Sequence, residues 1–133
     1  MAFLTEKMDM DFKGVTYATI NNSSNTYATS LAVDMKDALK AVFCVNALSV
    51  ATGGAVAWKI QESATTTTGD FADLSGYTAA HTDAEDDTWK TIEVPARAMT
   101  STKRYLRLVA TETGTQNAII TSVVVREFNL SNV

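Results

Sequence analysis

His81, the single histidine, is the most versatile acid–base group in this chain. A histidine-based triad also needs a nucleophile against the imidazole and a carboxylate to orient it. Ser75 and Asp83 are near in sequence, but no serine sits in the glycine-flanked elbow that exposes a nucleophile. His81 is therefore read as an exposed loop residue. Cys44, the only cysteine, lies in the apolar run from Leu39 to Leu48 and reads as a buried, inert thiol. One histidine and one cysteine far apart do not make a zinc site. Asp83, Glu85, Asp86 and Asp87 form the densest acidic cluster, without the spacing or glycine of a calcium loop, and read as solvated. Glu62, Asp70 and Asp73 offer carboxylate pairs for glycoside hydrolysis, as almost any acidic domain does. Gly53-Gly54 lacks the spacing and lysine of a phosphate loop. No catalytic residue, cofactor or metal ligand is assigned, and the chain is expected not to be an enzyme. Trp58, Trp89, Tyr77 and Tyr105 carry the flat surfaces that stack on sugars. Trp58 is assigned to the core, and Trp89 is left between core and surface.

The 133 residues carry a net charge of −4 and a pI near 4.8. Such a chain has no general attraction for phosphate backbones or anionic lipid, so neither nucleic acid nor membrane is expected as a partner. Lys103, Arg104 and Arg107 come nearest to a basic patch and read as solvated ends and one face of a strand. The length suits one domain, which buries roughly two thirds of the surface its unfolded chain exposes. A lone cysteine permits no internal disulfide and suits a reducing compartment. The first residues lack a signal peptide's long apolar core, and no apolar run approaches the roughly 20 residues of a membrane span.

The elements that must position these residues are strands. Met8-Asp9-Met10-Asp11-Phe12-Lys13 alternates apolar and charged residues, which places Met8, Met10 and Phe12 on one face of an extended segment. With Phe3 and Leu4 they form a candidate interface on an N-terminal arm, residues 1–13. The surface it covers is either its own sheet or a neighbouring subunit. Thr16-Tyr17-Ala18-Thr19 recurs as Thr26-Tyr27-Ala28-Thr29 around a dense turn signal, giving a hairpin or a loop between strands. Asp34 suits the cap of one helical turn through Asp37 or Ala38. Leu39 to Leu48 favours a buried strand, with helix as the competing reading around Met35 to Val42. Val56, Trp58 and Ile60 share one strand face, and Ala57, Lys59 and Gln61 the other. Trp89 to Val94 alternates again until Pro95, which has no N–H for a central ladder. Leu106, Leu108 and Ala110 point inward from the next strand, and Ala118 to Phe128 is the last. Seven or eight strands with loops of varied length predict an all-β fold: one antiparallel β-sandwich or jelly roll, residues 14–133, behind the arm.

Val56-Ala57-Trp58-Lys59-Ile60-Gln61-Glu62-Ser63, a polar loop and Phe71-Ala72-Asp73-Leu74 together resemble a pattern in small structural proteins of tailed bacteriophages. Arg104-Tyr105-Leu106-Arg107-Leu108 is similar to a later strand of those proteins. The resemblance covers roughly Val15 to Phe128. The chain departs from the pattern where Thr65-Thr66-Thr67-Thr68-Gly69-Asp70 replaces an Asp-Gly turn. These proteins include head decoration, or cement, proteins of β-sandwich or jelly-roll fold. The resemblance implies a homotrimer on the outer capsid surface of a virion, assembled in the host cytoplasm, that clamps the major capsid protein. Two other readings are kept: a carbohydrate- or receptor-binding β-domain, and a tail or fibre component.

Overall fold

The computed structural model describes residues 6–9, 16–20, 26–28, 32–48, 50–85, 87–114 and 118–129. These form ten strands: β1 (Glu6–Asp9), β2 (Thr16–Ile20), β3 (Thr26–Ala28), β4 (Val33–Asp34), β5 (Ala38–Leu48), β6 (Ala55–Ser63), β7 (Ala72–Thr82), β8 (Lys90–Pro95), β9 (Tyr105–Thr113) and β10 (Ala118–Asn129). Every pairing is antiparallel. The first sheet runs β1-β10-β5-β8, with β2 also on β10; the second runs β3-β9-β6-β7, with β4 also on β9. The fold is thus all-β, two antiparallel sheets in a sandwich.

Alternation along the strands builds the space between the sheets. Ala41, Phe43, Val45 and Ala47 of β5 face Val56, Trp58 and Ile60 of β6, all buried. Leu106, Leu108 and Ala110 of β9, Ile92 and Val94 of β8, and Ile120 and Val124 of β10 fill the same layer. Each large aliphatic side chain removed from water in this way contributes about 1.5–3 kcal/mol before entropy is charged against it.

Leu39 to Leu48 is strand, not helix. Pairing with β10 on one side and β8 on the other satisfies its backbone. No helical turn follows Asp34. Its carboxylate accepts the Lys36 N–H at 2.9 Å, Asp37 takes φ 61°, and Ala38 N–H bonds Met35 C=O at 3.1 Å, so a tight turn leads directly into β5. The recurring Thr-Tyr-Ala-Thr segments do not form a hairpin: β2 joins the first sheet and β3 the second. Pro95 ends β8 on the edge of the first sheet.

Two predicted environments are corrected. Cys44 is not buried in the core; it is free and half-exposed on the outer face of the first sheet, beside Val123 and Thr91 in register. Both faces of β5 are apolar, so alternation alone could not tell inside from outside. His81 is not an exposed loop residue. It lies near the end of β7 and is fully buried. Trp58 Nε1–H donates to His81 Nδ1 at 2.8 Å, and His81 Nε2 meets Thr88 C=O at 2.6 Å, which makes Nε2 the protonated nitrogen. Both ring nitrogens are satisfied, so the imidazole serves as a polar tie within the core.

Candidate functional site: the outer face of the second sheet

Ala57, Lys59 and Gln61 alternate outward from β6 while Trp58 and Ile60 hold the strand to the core. Register places Ala80, Thr78 and Asp73 of β7 beside them on one side, and Thr111, Val109 and Arg107 of β9 on the other. Between Lys59 and Gln61 the pairing with β7 breaks, and Leu74 to Tyr77 bulge out with Gly76 at φ 90°. Positive φ is where a Cβ costs energy, so this bulge requires glycine there.

Around the bulge the side chains form one connected network. The Asp73 carboxylate accepts from Lys59 Nζ at 2.9 Å and from Gln61 Nε2–H at 2.7 Å. Arg107 Nε donates to Gln61 Oε1 at 2.7 Å, and its guanidinium stacks on the Phe71 ring, 4.3 Å from the centroid. The hydrogen bond from Gln61, then that from Lys59, holds the Asp73 carboxyl below the usual range. Beside this network lies an open groove of about 400 Å³, floored by Ala57, Ala80 and Thr111 and walled by Lys59 and Thr78. Small floor residues let another molecule approach the sheet, and the polar wall supplies donors and acceptors.

The carboxylates considered in the sequence are held by separate partners. Glu62 is buried, and its carboxylate accepts Thr100 N–H at 2.9 Å and Thr100 Oγ1–H at 2.5 Å, pinning a loop. Asp70 accepts Thr65 Oγ1–H at 2.5 Å within the Thr-rich loop. Asp73 is engaged as above, so each carboxylate of the trio has its own structural partner. In the acidic cluster, Asp83 accepts Gly53 N–H, Asp87 accepts Asn46 Nδ2–H, each at 3.0 Å, and Glu85 pairs with Lys90. Among the described residues no group of metal-ligating side chains converges. Trp89 is exposed, at 53%. Of the candidate interface, Phe3, Leu4, Met10 and Phe12 lie outside the described residues. Met8 is placed through its backbone, in β1, opposite Glu127 of β10.

The outer face of the first sheet went unrecognised in the sequence. Val42, Cys44 and Leu48 of β5 and Val123 and Val125 of β10 are half-exposed there, bordered by Lys40 paired with Glu93 and Glu127. The signal was present: β5 and the last strand are apolar at consecutive positions, which one buried face does not require.

No family model and no curated protein matches the chain. Among solved structures it is similar to the K3 cleaved adhesin domain of Lys-gingipain from Porphyromonas gingivalis, with TM-score 0.51 and 18% identity over 82% of this chain and 71% of that one. It is also similar to the family 11 carbohydrate-binding module of the Clostridium thermocellum cellulase Lic26A-Cel5E, with TM-score 0.41 and 16% identity over 96% of each chain. The same family's module in complex with a β-1,3-1,4-mixed-linked tetrasaccharide gives 0.41 and 14%, over 96% and 97%. The likeness to the adhesin domain is one of fold, the antiparallel β-sandwich.

Proposed function

We propose that this chain is a virion structural protein, a capsid decoration or cement protein that binds the outside of an assembled head as a trimer and bridges major capsid protein subunits. One observation supports it above others. The segments that resemble phage structural proteins are adjacent in the fold, and their polar residues, Lys59, Gln61, Asp73 and Arg107 with Phe71, tie to one another. Residues consumed in holding a surface rigid suit a protein that acts by contact. Many copies on one shell add small contacts into a large total.

The test is co-sedimentation of the purified chain with assembled heads lacking it and with unassembled coat subunits. Saturable binding to heads and little to free subunits is expected. A chain without residues 1–13 should bind heads more weakly while the sandwich it retains stays folded, losing only the far-ultraviolet circular dichroism of the four-residue strand β1. No binding of the intact chain to heads would overturn the reading.

Exposed Trp89 and the groove beside Lys59 favour a second reading, a carbohydrate- or receptor-binding domain. A glycan array separates the two: specific binding lost in Trp89→Ala would favour the second.

A further inference from the structure

A different end of the sandwich collects cations that the sequence keeps apart. The turn before β5 supplies Lys36, and the loop before β9 supplies Lys103 and Arg104. All three line a cavity of about 210 Å³ together with Thr100 and Ser101, over a floor of Met35, Ala96 and Met99. The walls are fixed from beneath. Buried Glu62 holds Thr100, Arg104 N–H bonds Ser63 C=O at 2.9 Å, and Met35 N–H bonds Arg104 C=O at 2.9 Å.

The charges are not equivalent. Arg104 is committed to Asp34 through two bonds, Nε to Oδ1 at 2.8 Å and Nη2 to Oδ2 at 2.6 Å. Asp37, in the same turn, adds a second negative charge near Arg104. Among the described residues no carboxylate pairs with the ammonium group of Lys36 or Lys103, so both line the cavity as compact point charges. With its planar fork occupied, Arg104 does not offer the bidentate grip that selects phosphate. Two ammoniums over methionine and alanine suit a carboxylate carried on methylenes, with an apolar neighbour to cover the floor. The chain as a whole is negative, so this rim is a local exception that can attract an acidic segment.

We propose that this cavity docks an acidic peptide segment of a partner protein, glutamate or aspartate side chains between Lys36 and Lys103 and an adjoining apolar side chain on Met35 and Met99. The inference rests on the reading of the chain as a contact module and names the partner's chemistry at one contact.

The test is fluorescence anisotropy of the full chain with a fluorescein-labelled peptide of alternating glutamate and leucine, at about 50 mM salt. Binding should weaken severalfold in about 500 mM salt. Lys36→Ala or Lys103→Ala should each weaken it up to about fivefold, and the double Lys36→Glu/Lys103→Glu variant more than that. Thermal unfolding of these variants monitors the fold, and Lys90→Ala, on β8 and outside the cavity lining, should bind as the parent does. The proposal is overturned if the peptide does not bind, if the charge-reversed chain binds equally, or if inorganic phosphate binds there and the peptide does not. It is also overturned if the unmixed chain self-associates through the same lysines, which would make a second copy the occupant. Loss of head binding with peptide binding retained would count against the capsid reading alone.

Discussion

If His81 is a polar tie in the core, its energetic coupling to Trp58 is measurable. In Trp58→Phe the phenyl ring replaces an indole that is 2% exposed, and His81 Nδ1 loses its donor at 2.8 Å. A buried acceptor without a partner costs about 1–3 kcal/mol, and the smaller ring leaves a void costing roughly another 1 kcal/mol. In His81→Leu the acceptor disappears, so the indole N–H is orphaned at a similar cost. Thr88 is exposed, so its carbonyl can turn to water. The double variant has no orphan between the two positions. Its loss should fall short of the sum of the singles by about 2 kcal/mol or more, the two orphan costs it avoids, well above the roughly 0.5 kcal/mol scatter of independent sites. Each single should still fold, because domains of this size have about 5–15 kcal/mol in hand. Urea unfolding followed by far-ultraviolet circular dichroism, which does not depend on the removed tryptophan, gives the four free energies. Additive losses would show that the two rings merely share the core, with no working hydrogen bond between them.

Two pH-linked predictions accompany it. Arg104 draws the Asp34 carboxyl down to about 2, chiefly through their hydrogen bonds. A depressed carboxyl stabilises above its unfolded pKa, near 3.8, and that contribution is lost as pH falls toward 2; with solvent screening it is on the order of 1 kcal/mol. Arg104→Gln should remove it and return Asp34 toward an ordinary carboxylate in an NMR titration. Glu112 behaves oppositely. Burial raises its pKa, and Oε2 has no hydrogen-bond partner, although Ala118 N–H favours the charged form. A raised carboxyl is most favourable when protonated, so its penalty grows as pH rises through the unfolded value of 4.5 to the folded one. Glu112→Gln should therefore increase neutral-pH stability by on the order of 1 kcal/mol and flatten the slope above pH 4.5 in chemical denaturation.

The inward faces of β6, β8 and β9 were legible because one apolar face alternates with a polar one. Val56, Trp58, Ile60, Ile92, Val94, Leu106, Leu108 and Ala110 are all buried as their spacing predicts. Alternation fails where both faces are apolar, and Cys44 on β5 was misplaced for that reason. His81 was misplaced for another. Its neighbours Thr78, Ala80 and Thr82 suggest an exposed segment, and the edge strand β7 is exposed along most of its length. Only the Trp58 indole, reached across the sheet, makes a buried histidine satisfactory there. The network of Lys59, Gln61, Asp73 and Arg107 was present as a motif, but its contacts span 46 residues in sequence and need the β6–β9 register. Lys36 beside Lys103 and Arg104 was invisible for the same reason: a turn and a loop far apart in the chain meet only after folding.

These placements bear on where function resides. A side chain that both ties the scaffold and meets a partner must satisfy two geometries, and a rigid surface is easier to keep when the duties are divided. Here the division follows the chain's motifs. Gln61, Asp73, Arg107 and buried Glu62 spend their hydrogen bonds inside the molecule. The groups with surface to offer lie elsewhere: Trp89, the apolar outer face of the first sheet, and the lysine-rimmed cavity. On the proposed reading, the Gln61, Asp73 and Arg107 network serves stiffness, and binding specificity falls to residues outside that network. Substitutions at Lys36, Lys103 or Trp89 should alter partner choice with little loss of stability, whereas substitution of Arg107 should loosen the β6–β9 face before it changes any partner.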